Sequence, residues 1–256
     1  MATQQQNQYN VLILGDVCKD IYVFGECLRL SPEAPVPVLD QKIVEERFGM
    51  VANVRNNFSN MSPNSIVSYL THDSSLSVKT RFVDSRSGQQ IMRHDISQKI
   101  PELNIQNIKK EKYDAIIISD YNKGFITPKT VEFLKSLDSP IFVDTKKRNL
   151  SCYNDCYVKV NEFEDKKAYN KKSCELIVTL GSKGALYRGI EYPTDVVEGH
   201  DACGAGDVFL ASLVARWLET SDIDSSIKTA NKCASYSVTK IGSYSLSLKE
   251  YNNLKV

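Results

Sequence analysis

Asp201-Ala202-Cys203-Gly204-Ala205-Gly206-Asp207 runs without a break into Val208-Phe209-Leu210-Ala211-Ser212-Leu213-Val214-Ala215-Arg216-Trp217, and this stretch decides the fold. Its second half has apolar side chains at helical spacing and neither Gly nor Pro, which predicts a helix. Its first half sets three small residues in a row between two carboxylates. Small residues permit a tight turn that leaves amide N–H groups at the helix start facing a ligand. The amides of Gly204, Ala205 and Gly206, with the helix dipole behind them, make an anion site suited to a phosphate. Asp207 can then accept the proton of a hydroxyl held before that site while its oxygen attacks phosphorus. The plainer alternative is a glycine loop capping a core helix through Asp207, and Gly-x-Gly alone does not separate the two.

Composition bounds the partners. A chain of 256 residues is read as one domain, 1–256, with a small appendage. The 32 basic and 31 acidic residues leave a formal charge of +1, so neither nucleic acid nor an anionic membrane is expected as partner. Of seven cysteines only Cys152 and Cys156 lie close in sequence, weak evidence for zinc, and reduced thiols in a cytoplasmic protein are expected. Met1 to Asn10 is polar and glutamine-rich, unlike a signal peptide, and no apolar run approaches membrane-spanning length.

Along the chain, Val11-Leu12-Ile13-Leu14 reads as a buried parallel strand ending at Gly15-Asp16. Asp16 then stands either at a ligand cleft or in a simple turn. The prolines of Arg29-Leu30-Ser31-Pro32-Glu33-Ala34-Pro35-Val36-Pro37-Val38 exclude a helix and confine pairing to sheet edges, so the segment about 20–45 is expected to leave the main sheet as strand and loop, and a second segment, about 78–96, follows it. Within the second, Val78–Val83 and Gln89–Asp95 predict a hairpin about Ser87-Gly88. Ala115–Asp120, the helix Thr130–Leu137 and Ile141–Asp144 alternate as an α/β protein does. Asn161 can cap a helix, and the strand Leu176–Leu180 running into Gly181-Ser182-Lys183-Gly184 can make a plain hairpin turn. Ile223 to Lys240 predicts a further helix.

The seven-residue string resembles the D-T-x-G-A-G-D signature of the ribokinase-like (PfkB) carbohydrate kinases, with Ala202 and Cys203 departing from it. Gly15-Asp16 and the Ser31–Val38 string resemble the opening of the heptose 7-phosphate kinases, the kinase half of the bifunctional ADP-heptose synthesis enzyme. Asp120-Tyr121-Asn122-Lys123-Gly124, Asp144-Thr145-Lys146, Asn161-Glu162-Phe163-Glu164 and Lys240-Ile241-Gly242-Ser243 are similar to further motifs of that family, in its order. The resemblance implies an α/β, ribokinase-like three-layer sandwich with a mostly parallel central sheet and a β-lid that makes a homodimer contact. It implies ATP, Mg2+ and K+ as cofactors and a sugar phosphate as acceptor. It assigns Asp207 with Gly204, Ala205 and Gly206 to catalysis, and Asp16, Gly49, Asn53, Arg93 and Lys123 to the sugar. Asn161, Glu164, Thr179, Gly181, Gly184 and Asn231 fall to the nucleotide, Glu164 and Asn161 to magnesium partly through water, and Asp201 and Ser243 to a monovalent cation.

Three departures qualify the resemblance. Met50 replaces a glycine whose backbone freedom lets a sugar approach, and methionine does not easily take up such angles. Cys203 replaces a threonine and removes a hydroxyl ligand. The Val54–Lys79 segment is too short by about one βα unit. Asn53 is expected either to bond a sugar hydroxyl or to cap the helix after it. The chain stops soon after Glu250, so no cytidylyltransferase-like second domain is expected. The expected activity is transfer of the ATP γ-phosphoryl to a sugar phosphate, most like heptose 7-phosphate. The alternatives are a kinase for a different sugar and a catalytically silent nucleotide-binding relative.

Overall fold

Uninterrupted apolar runs such as Val11–Leu14 and Ala115–Ile118 have no polar face to offer water, so they become strands buried on both sides. The computed structural model describes residues 8–197, 202–240 and 242–256. Two compact units divide them. The larger takes the described residues up to Asp16, Met50–His72 and those from Ile100 onward; the smaller takes Val17–Gly49 and Asp73–Lys99.

The larger unit holds strands β1 (Asn10–Gly15), β4 (Ile66–Thr71), β7 (Ala115–Asp120), β8 (Ile141–Thr145), β9 (Tyr157–Asn161), β10 (Glu175–Thr179), β11 (Ala185–Tyr187) and β12 (Ile190–Tyr192). Among the described residues they form one sheet in the order β12-β11-β10-β9-β8-β7-β1-β4. The pairs from β4 to β10 are parallel, and β10-β11-β12 turns back antiparallel. The fold is thus the ribokinase-like α/β arrangement the sequence implied.

The helices are α1 (Val51–Met61), α2 (Pro128–Lys135), α3 (Glu162–Lys167), α4 (Ala205–Thr220), α5 (Ile223–Val238) and α6 (Leu248–Leu254). Helix α4 is buried at every position from Asp207 to Ala215, because it is packed between α1, α5 and the strands β7 and β8. Helix α2 begins at Pro128, two residues before the expected start. Thr127 and Thr130 form a capping box, and proline at the first helical position loses no hydrogen bond. Strand β4 leads on without a helix, as the short Val54–Lys79 segment required.

The smaller unit is a four-stranded sheet in the order β3-β2-β5-β6, with β2 (Val17–Leu30), β3 (Pro37–Met50), β5 (Ser77–Asp84) and β6 (Gln90–Ser97). Strands β5 and β6 form the expected antiparallel hairpin, while β2 and β5 run parallel. The prolines fall where a ladder tolerates them: Pro32 and Pro35 lie between strands and Pro37 opens β3. Gly49 is required by close approach, since a Cβ there would stand 2.4 Å from Asp20 Oδ2 and 2.9 Å from Cys18 Sγ.

Met50 corrects an expectation. It holds φ 60° and ψ −130° at the junction before α1, the backbone that methionine was expected to avoid, and it is buried. A residue in such a region costs about 1–3 kcal/mol. Burying the side chain gives back about 1.5–3 kcal/mol, so the junction is kept without glycine. Asn53 does not cap α1 either; it is the helix's third residue and points elsewhere.

Candidate active site

The turn into α4 is small at two positions for two different reasons. Gly204 caps the helix in the left-handed region, at φ 79°, where a side chain would be strained. Gly206 has an ordinary backbone, but a Cβ on it would fall 2.6 Å from Lys159 Nζ. Within the turn, Ala205 N donates to Ala202 O at 3.3 Å and Asp207 N to Gly204 O at 3.0 Å. Cys203 sits beside Ser243, Sγ to Oγ 3.7 Å, while Asp201, the expected partner of Ser243 at a cation, lies outside the described residues.

Asp207 is the centre of the site. Its Oδ2 accepts from Asn53 Nδ2 at 3.0 Å and its Oδ1 from the Tyr121 hydroxyl at 3.3 Å. Burial pushes its carboxyl up to about 6, with the nearby Asp144 charge adding to the effect; the Asn53 hydrogen bond and the ammonium groups of Lys159 and Lys146 hold it from rising further. A carboxylate near 6 is a competent base at neutral pH. Asn53 is steadied in turn by Asn57, whose Nδ2 donates to Asn53 Oδ1 at 3.1 Å and whose Oδ1 accepts from Leu246 N at 3.0 Å.

Beside Asp207 lies a group of alternating charges. Lys159 Nζ is 2.7 Å from Asp144 Oδ2, and Lys146 Nζ is 3.4 Å from Asp144 Oδ1 and 2.6 Å from Glu164 Oε1. Burial alone would raise the Asp144 carboxyl, but the two ammonium groups outweigh it and hold it below its ordinary value. Lys146, also penalised by burial, is nevertheless raised by Asp144 and Glu164. It stands 5.4 Å over the Tyr121 ring.

Asn161 and Glu164 form a capping box at α3: Asn161 Oδ1 accepts from Glu164 N, and Glu164 Oε2 from Asn161 N, both at 2.8 Å. With Glu164 Oε1 on Lys146, these side chains already have protein partners on every oxygen. One partner on each oxygen leaves a lone pair over, so the set has room to meet a hydrated ion, partly through its waters. No group of three or more His, Cys, Asp or Glu placed to hold a metal occurs among the described residues.

The remaining expected residues divide between two places. Thr179, Gly181, Gly184 and Asn231 line one cavity of about 260 Å³, which ends on Ala205 and Gly206. Asn231 Nδ2 is held by Tyr192 O at 2.7 Å. Asp16 is fully buried at the end of β1. Its Oδ2 accepts from Tyr121 N at 2.8 Å and Lys123 N at 3.4 Å, and its Oδ1, which has no hydrogen bond among the described residues, is 3.6 Å from His72 Nε2. Lys123 therefore meets Asp16 through its amide. Gly49 and Arg93 belong to the smaller unit, where the exposed Arg93 forms a two-pronged pair with Asp95, at 2.9 and 3.0 Å.

Sequence reading gave Tyr121, Asp144 and Lys146 only a place in family-like motifs and assigned no role to Asn57, His72 or Lys159. One signal was legible: Lys159 stands between the apolar Val158 and Val160 in the buried centre of β9.

A buried carboxylate, a glycine-containing turn at a helix start and a cavity of about 260 Å³ thus lie together at the carboxyl edge of a parallel sheet. Residues 154–250 match the profile of the pfkB family carbohydrate kinases. The chain's fold is that of ribokinase from Thermotoga maritima, at TM-score 0.72 and 16% identity over 96% of this chain and 99% of that one. Phosphofructokinase-2 from Escherichia coli, in a complex with potassium, superposes with TM-score 0.72 at 15% identity, over 96% of this chain and 97% of the other.

Among curated proteins, the chain is similar to the bifunctional protein HldE of Nitratiruptor sp. (30% identical over 293 residues) and of Aliarcobacter butzleri (28% over 303). Each match takes in 94% of this chain and 63% of the relative's length, so the chain spans under two thirds of these proteins.

Proposed function

We propose that the protein is an ATP-dependent sugar kinase, moving the γ-phosphoryl of ATP to a hydroxyl of a sugar phosphate, most like heptose 7-phosphate to its 1,7-bisphosphate. One observation carries this reading: the cavity lined by Thr179, Gly181, Gly184 and Asn231 ends on the turn that presents Asp207. A nucleotide seated there directs its terminal phosphate to the start of α4, where amides and the helix dipole receive negative charge. Asp207, held between Asn53 and Tyr121, takes the acceptor's proton as its oxygen attacks phosphorus in line with the departing ADP. Magnesium enters with the nucleotide phosphates, and no protein step is assigned to it. The similarity to the HldE proteins favours a heptose phosphate as acceptor.

A second acceptor is favoured by Met50 and His72: both side chains are buried, and His72 lies against Asp16. The smaller unit exposes Leu28, Leu30, Ile43, Val44 and Phe48, which supports a homodimer formed through it. A cytoplasmic location is part of this proposal; no helix among the described residues is long and apolar enough to cross a membrane, and no disulfide is formed among them.

The test is ADP release from MgATP with heptose 7-phosphate against a panel of sugars and sugar phosphates, with Asp207→Asn as control. Turnover with one acceptor, lost in the control, is expected. Absence of turnover with every acceptor would overturn the reading.

A further inference from the structure

We propose that Lys159 is a phosphoryl-binding residue: its buried ammonium, anchored on Asp144 beneath Gly206, supplies the anion-binding turn with a side-chain donor in addition to its amides. This inference rests on the kinase reading above.

The geometry is specific. Lys159 is 4% exposed, and it projects from β9, where the residues on either side are apolar. A Cβ on Gly206 would stand 2.6 Å from its Nζ, so the ammonium lies close against the turn. Among the described residues, its side chain makes one hydrogen bond, to Asp144 Oδ2 at 2.7 Å. An ammonium carries three donors, and burying one with donors unmet is costly. Asp144 does not serve Lys159 alone, because its other oxygen is 3.4 Å from Lys146.

If the pair only held the fold together, apolar residues of similar volume would serve as well or better at a buried site. A fixed cation against the turn has a use when a phosphoryl group with its charge arrives there, since preorganised donors act most strongly where water is excluded. Gly206 is then explained as well: its missing side chain lets the ammonium reach the turn.

The test compares MgATP with MgADP binding by titration calorimetry, because only ATP carries the group that Lys159 would hold. Lys159→Met alone leaves Asp144 unpaired, so it is combined with Asp144→Asn. Lys159→Gln, which keeps a donor for Asp144, provides a second variant. Wild-type melting, MgADP affinity within about twofold and MgATP affinity weakened about tenfold or more are expected for the neutral pair. Either variant binding both nucleotides in the wild-type ratio would overturn the proposal while leaving the kinase reading intact. Wild-type protein that binds neither nucleotide would overturn both.

Discussion

Replacing the proposed base by its neutral isostere should make the protein more stable, and the pH dependence of the gain tests why. Asp207 is buried, and its carboxyl is raised from 3.8 to about 6. A raised carboxyl binds its proton more tightly in the folded state than in the unfolded chain. Ionising it therefore costs stability: nothing is lost below the unfolded value, and the loss grows as pH rises through about 6. At 1.36 kcal/mol per unit, the shift amounts to about 3 kcal/mol at pH 7.5, and to about 0.5 kcal/mol at pH 4. Asp207→Asn keeps the shape without the charge. Urea unfolding can be followed through Trp217, the single tryptophan, whose ring packs edge-on against Phe142 at 5.2 Å. The variant should be about 2–3 kcal/mol more stable than wild type at pH 7.5, with most of that gain gone at pH 4. A variant less stable at pH 7.5, or a difference equal at both pH values, would refute the assignment of the cost to the buried charge. The same substitution should abolish turnover, so that stability and activity move in opposite directions at one residue.

Asn53→Ala removes a donor that favours the charged form of Asp207, so the acid limb of the kcat/KM profile, expected at about 6, should move to higher pH by about half a unit to one unit. A limb that stays in place would show that the hydrogen bond does not tune the base. Asn161→Ala removes the cap of α3 and should cost about 1 kcal/mol in urea unfolding. Because the capping box engages Asn161, the magnesium concentration for half-maximal turnover should change less than about threefold. A shift well beyond that would make Asn161 a direct ligand.

Much of this protein is legible residue by residue. Continuous apolar runs announce the parallel strands, because a strand covered on both faces leaves no polar position. Three prolines in six positions keep Ser31–Val38 outside any helix, and a helix start after Gly-Ala-Gly carries its anion site in its own backbone. Asn161-x-x-Glu164 was open between two readings, and only the fold shows both side chains engaged by the cap and by Lys146. Met50 was misjudged because propensity weighs one residue alone, whereas burial of the methionine offsets the cost of its backbone.

The sequence by itself determined the alternation of strands and helices, the glycine-containing turn before α4 and the candidate base within it, since each depends on neighbours within a few residues. Tertiary structure alone decided what surrounds that base. Asn53, Tyr121, Asp144 and Lys159 come from α1, the end of β7, β8 and β9, and packing around α4 brings them to one point. Their effect on Asp207 is electrostatic and falls off with distance, so it exists only once residues far apart in the chain lie within a few ångströms of one another.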